Sequence, residues 1–402
     1  MKLPIPDSFT NRSRMPAAQR EGRAIFRLAR PRVDVAHVAF APRMDWSRLI
    51  RIAWDEGAIC SLRDHLRFAP ADVVPLDVKR RVAFLALQCD LRMRALARCA
   101  DTTLAALAAA GIEVVLLKGA ALAMTSYGSF AARPMNDIDL LVEPGRAEEA
   151  REILLDAGWM LNTALPGDSE YGTHHHLPPL VDAGGHGLRL EIHRELLPPG
   201  HPFRMTTADI WREVRTVRVG STVANVLHHT QHALHVAIHF AWSHAMRVGG
   251  WHAFRDLGAL QAAGLLDWEE LVQFALRTRA SSCCYWTLRL GQELAGLDVP
   301  AGVLDTLAPS HGTAMSRMLE RHWIATLTRQ LEHPVSLRLE RALWTMSLEP
   351  QRLEHGESRP WTVSSDLAAA RLSTAPPEHA KLRDHIAKLG RSSVHLGSLI
   401  RT

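Results

Sequence analysis

Long apolar runs are missing from this chain. No stretch approaches the ~20 residues that a membrane-spanning helix needs, and the opening MKLPIPDSFTNRSRMPAAQREGR lacks the apolar h-region of a signal peptide. These two absences lead us to expect a cytoplasmic protein with no membrane partner. Cysteine is sparse and odd in number: Cys60, Cys89, Cys99, Cys283 and Cys284. Their spacing fits neither a disulfide framework nor a zinc knuckle, which argues against a stapled secreted scaffold and fits a reducing compartment. Lysine is also scarce, so arginine supplies nearly all the positive charge behind the net +5. Arginine's planar fork suits phosphate and carboxylate. An excess this small also follows from codon bias and does not establish nucleic-acid binding. What is present is a globular composition: 402 residues, 47% of them hydrophobic, enough for two or three packed units.

Residues 1–44 are basic, polar and aperiodic, and read as a mobile arm carrying Arg12, Arg14, Arg20, Arg23, Arg27, Arg30 and Arg32, solvated or available to RNA or an acidic protein. Residues 45–111 read as a helical region: Trp46, Leu49, Ile50 and Ala53 follow a helix period behind Asp45 as N-cap, and a long Ala/Leu/Arg helix runs from about Leu76 to Ala110, closed by Gly111. Over 112–220 the pattern changes. IEVVLLKG and NDIDLLVEP read as strands, GRAEEAREILLDAGW as an amphipathic helix, and HHHLPPLVDAGGHGLRLEIHREL as a hairpin turning near Gly184-Gly185. This order predicts an α+β fold, a small mixed-sheet core flanked by helical regions. Residues 221–350 read as a C-terminal helical domain, and 351–402 as a loosely ordered tail.

Asn136-Asp137-Ile138-Asp139-Leu140 is the most informative segment. In a strand, residues two apart share a face, so Asp137 and Asp139 project together while Ile138 and Leu140 enter the core. Paired carboxylates on an apolar strand repel, and a hard divalent cation, Mg²⁺ or Mn²⁺, relieves the repulsion. Glu191 in LRLEIH alternates with apolar residues in the same way and offers a third carboxylate, with His193 on its face. Lys118-Gly119 closes a strand at a helix N-terminus, a natural place for phosphate. Arg133 precedes the aspartate strand, able to reach a triphosphate or to brace an Asp.

The stretch LLKGAALAMTSYGSFAARPMNDIDLLVEP, followed by LEIHREL, resembles the uncharacterised bacterial nucleotidyltransferase family of the polymerase-beta-like nucleotidyltransferase superfamily. NVLHHTQHALHVAIH, FRDLGALQ and DWEEL resemble that family's C-terminal half, so the likeness spans about residues 46–310. The resemblance implies that Asp137 and Asp139 bind two metal ions and that Glu191 helps hold one and activates the acceptor. It implies transfer of a nucleoside monophosphate from an NTP to an acceptor hydroxyl on a protein, a peptide, a small molecule or RNA. In place of the superfamily's usual Gly-Ser at the phosphate-contacting turn, this chain has Lys118-Gly119. The alternatives are an inactive nucleotide-binding or interaction module of the same fold, and a helical metal hydrolase.

That hydrolase would use His228, His232, His235 and His239, which fall on one helical stripe. The stripe lacks the HExxH glutamate, so it reads more simply as a groove lining. His174-His175-His176 reads as a solvent-exposed hairpin edge, or as a segment that touches substrate, and Asp256 as a carboxylate near a helix N-terminus or, within the resemblance, as one that faces the site. Tyr127 and Phe130 read as base-stacking or loop-anchoring groups.

Overall fold

The computed structural model describes residues 17–30, 44–163, 171–172, 174–328 and 335–349. The tail expected over 351–402, like Arg12, Arg14 and Arg32, lies outside the described residues.

Seven strands form one mixed sheet: β1 (Val114–Leu116), β2 (Asp137–Val142), β3 (Trp159–Leu161), β4 (Leu180–Asp182), β5 (Arg189–His193), β6 (Arg215–Val219) and β7 (Thr222–Val226). Their order is β3-β4-β5-β2-β1-β7-β6. β2 runs parallel to β5 and antiparallel to β1, so the strand that carries Asp137 and Asp139 has a partner on each side. The expected hairpin forms, with Leu180 opposite Leu190. Its connection is held by Asp182, whose carboxylate accepts from the backbone N–H of His186 and of Leu188.

The two faces of the sheet belong to different cores, as the alternation along each strand requires. Val114, Leu116, Ile138, Leu140, Leu190 and Ile192 face one cluster, which contains the C-terminal half of the long helix Leu76–Ala109. Val115, Leu117 and Leu141 face the other, the core of the C-terminal helices. The long helix runs unbroken for 34 residues, about 50 Å at 1.5 Å per residue, and Val78, Val82 and Ala86 of its first half enter the helical core. It ties the two cores together. No described helix is long and apolar enough to cross a membrane.

Two boundaries differ from the sequence reading. The basic arm is in part a packed element: Ala17–Arg27 is a helix, with Ile25 and Phe26 fully buried among the C-terminal helices. The Trp251 indole donates to the Ile25 carbonyl (3.1 Å), Arg23 pairs with Glu293 (3.2 Å), and Arg30 donates to the Ala295 carbonyl (3.1 Å). These arginines are spent on internal contacts, and the charge density of the segment masked its apolar stripe. The sheet also outruns its expected end at 220. Gly220, at φ +57°, turns a hairpin, and Thr222–Val226 adds to β1 in parallel. The β-branched content of that stretch was the available signal.

Candidate active site

The register of β2 and β5 sets the geometry. Asp139 stands directly opposite Glu191, and Leu141 opposite His193. Alternation turns Asp137, Asp139, Glu191 and His193 away from the core that holds the C-terminal half of the long helix and toward the core of the C-terminal helices. There the sheet face is left uncovered and becomes one wall of a cavity of ≈ 440 Å³, a size typical of ligand sites. Ligating atoms of Asp139, Glu191 and His193 lie within 4.8 Å of one another. The carboxylates expected to converge from more than fifty residues apart are thus neighbours in space.

Lys118 takes a position different from the expected phosphate contact. Its ammonium lies 2.7 Å from Asp139 Oδ1, the oxygen that also lies 3.0 Å from His193 Nε2. Lys118 opens the helix Lys118–Thr125 with φ +45°, a left-handed conformation that side chains with a Cβ adopt rarely. Such strain is retained where the surroundings hold it, and functional sites are the common place. Gly119 makes room rather than reaching outward: a Cβ there would collide with the Arg133 guanidinium. Arg133 is a brace. Its Nη2 and Nε donate to the two oxygens of Asp256 at 2.7 and 3.2 Å, and the Tyr127 hydroxyl donates to Asp256 at 2.8 Å. Asp256 is buried in the body of the helix Gly250–Ala262, not near its N-terminus as the sequence suggested. Tyr127 and the buried Phe130 are both anchors.

Burial and the neighbouring charges of Asp139 and Glu191 push the Asp137 carboxyl up to about 7. Burial also opposes the charge on Asp139, but the Lys118 ammonium and the His193 hydrogen bond overcome it and hold Asp139 well below the usual carboxylate range. The same carboxylates hold Lys118 above its ordinary value despite its burial. Charge in the site is therefore unevenly shared: Asp139 is neutralised by two donors, while at Asp137 burial and the acidic neighbours outweigh the pull of Lys118 and Arg189. A folded-state value above the unfolded one means that the folded chain binds the extra proton. That contribution to stability is complete below the unfolded value of 3.8 and is lost as pH rises through about 7. The metal-free wild type is expected to lose stability between pH 5 and pH 8 relative to Asp137→Asn. Paired thermal melts across that range check this, and parallel curves would remove the strained carboxyl.

The opposite wall is rich in histidine. His235, His239, His244 and His252 line the cavity, and burial pushes each of them down, His244 to about 4 and His252 to about 3. The expected stripe divides: His228, ahead of the helix His229–Ile238, lies 3.2 Å from Arg215, whereas His235 and His239 face the cavity. His239–Ser243 winds as a π-helix, a local irregularity often found at functional sites. The sequence reading missed His244, because the π turn breaks the period that would have placed it, and His252, which lies on the separate helix Gly250–Ala262. It also misplaced His174-His175-His176. These rings line the cavity instead of a solvent edge, and His176 is buried. The backbone bridge between His176 and His193 draws them inward.

No curated protein and no solved structure matches the chain. A sequence model of a family described as uncharacterised nucleotidyltransferase matches residues 42–296, a span that takes in the sheet, the carboxylates, Lys118 and the histidine wall, and the chain belongs to that family.

Proposed function

We propose that the chain moves a nucleoside monophosphate from an NTP to an acceptor hydroxyl, with Asp137, Asp139 and Glu191 as ligands for Mg²⁺ or Mn²⁺. One observation carries this reading: three carboxylates converge from adjacent parallel strands on a cavity, and the nearby cations do not offset the burial and repulsion at one of them, Asp137. The donor set suits a hard divalent cation, since oxygens dominate it. Bound there, such an ion supplies charge against the triphosphate and lowers the pKa of an acceptor hydroxyl. Asp137, whose carboxyl is pushed up to about 7, would hold a cation in its ionised form. Glu191 and His193 hold the geometry from β5, and the Arg133–Asp256 pair fixes the segment leading into β2.

Lys118 acts in both states. Asp139 Oδ1 cannot serve a cation and the Lys118 ammonium equally, so with a cation held by Asp139 the Lys118 head would be free to reach phosphate at the start of its helix. Lys118→Met keeps the stem and removes the head. It is expected to weaken NTP binding by about tenfold, one charge-assisted contact, and to tighten Mg²⁺ binding in the absence of nucleotide, because a competitor is gone. Titrations of Mg²⁺ alone and of NTP with Mg²⁺ read the two effects separately. Unchanged values in both would take Lys118 out of the site. The reading as a whole is tested by incubating the chain with α-labelled NTPs, Mg²⁺ and pools of candidate acceptors. Transfer of label with release of pyrophosphate is expected. Tight NTP binding with no transfer to any pool would indicate a binding module.

A further inference from the structure

Three consecutive histidines rarely turn their rings to one point, because neighbouring side chains of an extended chain diverge. Here they converge. Ring centroids of His174 and His176 are 4.1 Å apart, of His174 and His175 4.5 Å, and of His175 and His176 4.7 Å. One ring nitrogen from each lies within 4.8 Å of the other two. We propose that His174, His175 and His176 form a binding site for a transition-metal ion of the zinc class, on the same cavity as the carboxylates and adjoining them, since His176 Nε2 lies 3.9 Å from Glu191 Oε2.

The backbone around the three rings is fixed. The His175 carbonyl accepts from the N–H groups of Arg194 (2.8 Å) and Glu195 (3.1 Å), and Leu177 N–H donates to the Ile192 carbonyl (2.9 Å). The segment is thereby stapled to the end of β5, and Tyr171 packs its ring against His174 and His176. A site held this way loses little freedom on binding. The nitrogens are also suitably presented. His176 Nδ1 lies 2.7 Å from the Leu177 carbonyl and is the donor of that pair, since a carbonyl only accepts. That bond leaves Nε2 with its lone pair, the arrangement that orients metal-ligating imidazoles. His175 Nδ1 is buried and has no hydrogen-bond partner among the described residues, a cost that ligation removes.

Tetrahedral ligation at ~2.0–2.1 Å sets nitrogens about 3.4 Å apart, so no pair need close by more than about 1.5 Å from the 4.8 Å limit. Imidazole nitrogens favour zinc-like ions, and carboxylate oxygens favour Mg²⁺. The cavity therefore offers two chemistries a short way apart: hard oxygens on β2 and β5, and nitrogens on the stapled segment. Three protein ligands leave a fourth position facing the cavity, where an oxygen of a bound substrate can complete the shell. The proposal does not depend on nucleotidyl transfer, because metal binding is measured directly.

An untagged chain, stripped with a chelator, is titrated with Zn²⁺ and separately with Co²⁺ as a visible-absorption probe of geometry. Wild type is expected to take up Zn²⁺ with a tetrahedral Co²⁺ spectrum. His175→Gln and His176→Gln should each weaken uptake by tenfold or more while keeping the wild-type melting temperature. Asp139→Asn, which breaks the other nitrogen-containing cluster of Asp139, Glu191 and His193, should leave Zn²⁺ affinity within about threefold. Three outcomes would overturn the site: no uptake by wild type, uptake unaffected in both glutamine variants, or a loss that follows Asp139→Asn instead. If a glutamine variant does not fold, His174→Gln is read in its place against the same criteria.

Discussion

Asp137→Asn and Asp139→Asn are each expected to abolish Mg²⁺-dependent pyrophosphate release, with opposite effects on stability. The loss of turnover should exceed ~100-fold, because changes to groups that only orient metal ligands already cost 10–100-fold. On repulsion alone, both substitutions would relieve crowding and stabilise the metal-free chain. The geometry separates them. Asp137 is the carboxyl pushed up to about 7 by burial and by its two acidic neighbours, so its removal should raise the melting temperature at pH 8. Asp139 is the shared acceptor for Lys118 and His193. Asparagine there leaves the Lys118 ammonium beside a neutral amide. Breaking one side of a buried pair costs several kcal/mol. The side chain of Lys118 keeps 20% exposure and the amide oxygen still accepts, so about 1–3 kcal/mol is expected here. Pyrophosphate assays with melts at pH 6 and pH 8 read all of this. Full turnover in both variants would move the site elsewhere, and melts shifting in the same direction would contradict the unequal sharing of charge.

The parts of the site legible in the sequence share one property: strand alternation encodes them. Asp137 and Asp139 flank Ile138, and Glu191 stands between Leu190 and Ile192, so each carboxylate's face follows from its apolar neighbours. The mixed α+β sheet was legible for the same reason. What alternation does not encode was missed or misplaced. The partner of Arg133 is Asp256, 123 residues away on a helix whose own pattern reveals nothing of it. The inward turn of His174-His175-His176 depends on hydrogen bonds to β5, a long-range contact. His244 follows a π turn that resets the helical period, and His252 lies on the next helix, Gly250–Ala262, whose packing is a long-range matter. The helix Ala17–Arg27 was hidden in a segment whose charges suggested solvent, although those charges find protein partners.

Arg133→Met is the substitution expected to cost the most stability. It leaves the Asp256 carboxylate, 2% exposed, with only the Tyr127 hydroxyl. Removing one partner of a buried, doubly hydrogen-bonded pair costs about 3–5 kcal/mol, or roughly 4–6 °C in melting temperature for a chain of this length. Replacing both partners is a different experiment. Arg133→Met with Asp256→Leu removes the orphaned charge, and apolar replacements of buried ion pairs are often neutral in stability. The double variant should recover most of the loss, short of the cost of the unpaired Tyr127 hydroxyl. It then separates two roles that the cavity position of Arg133 leaves joined, a brace for the segment entering β2 and a contact for phosphate. If Arg133 only braces, a stable double variant binds NTP as the wild type does. If the guanidinium also reaches phosphate, the double variant melts normally but binds NTP about tenfold more weakly, the loss of one charge-assisted contact. The structure favours the brace, because both oxygens of Asp256 already occupy the fork and Gly119 closes over it. A double variant as unstable as Arg133→Met alone would show that packing around the guanidinium, and not the ion pair, holds this corner of the site.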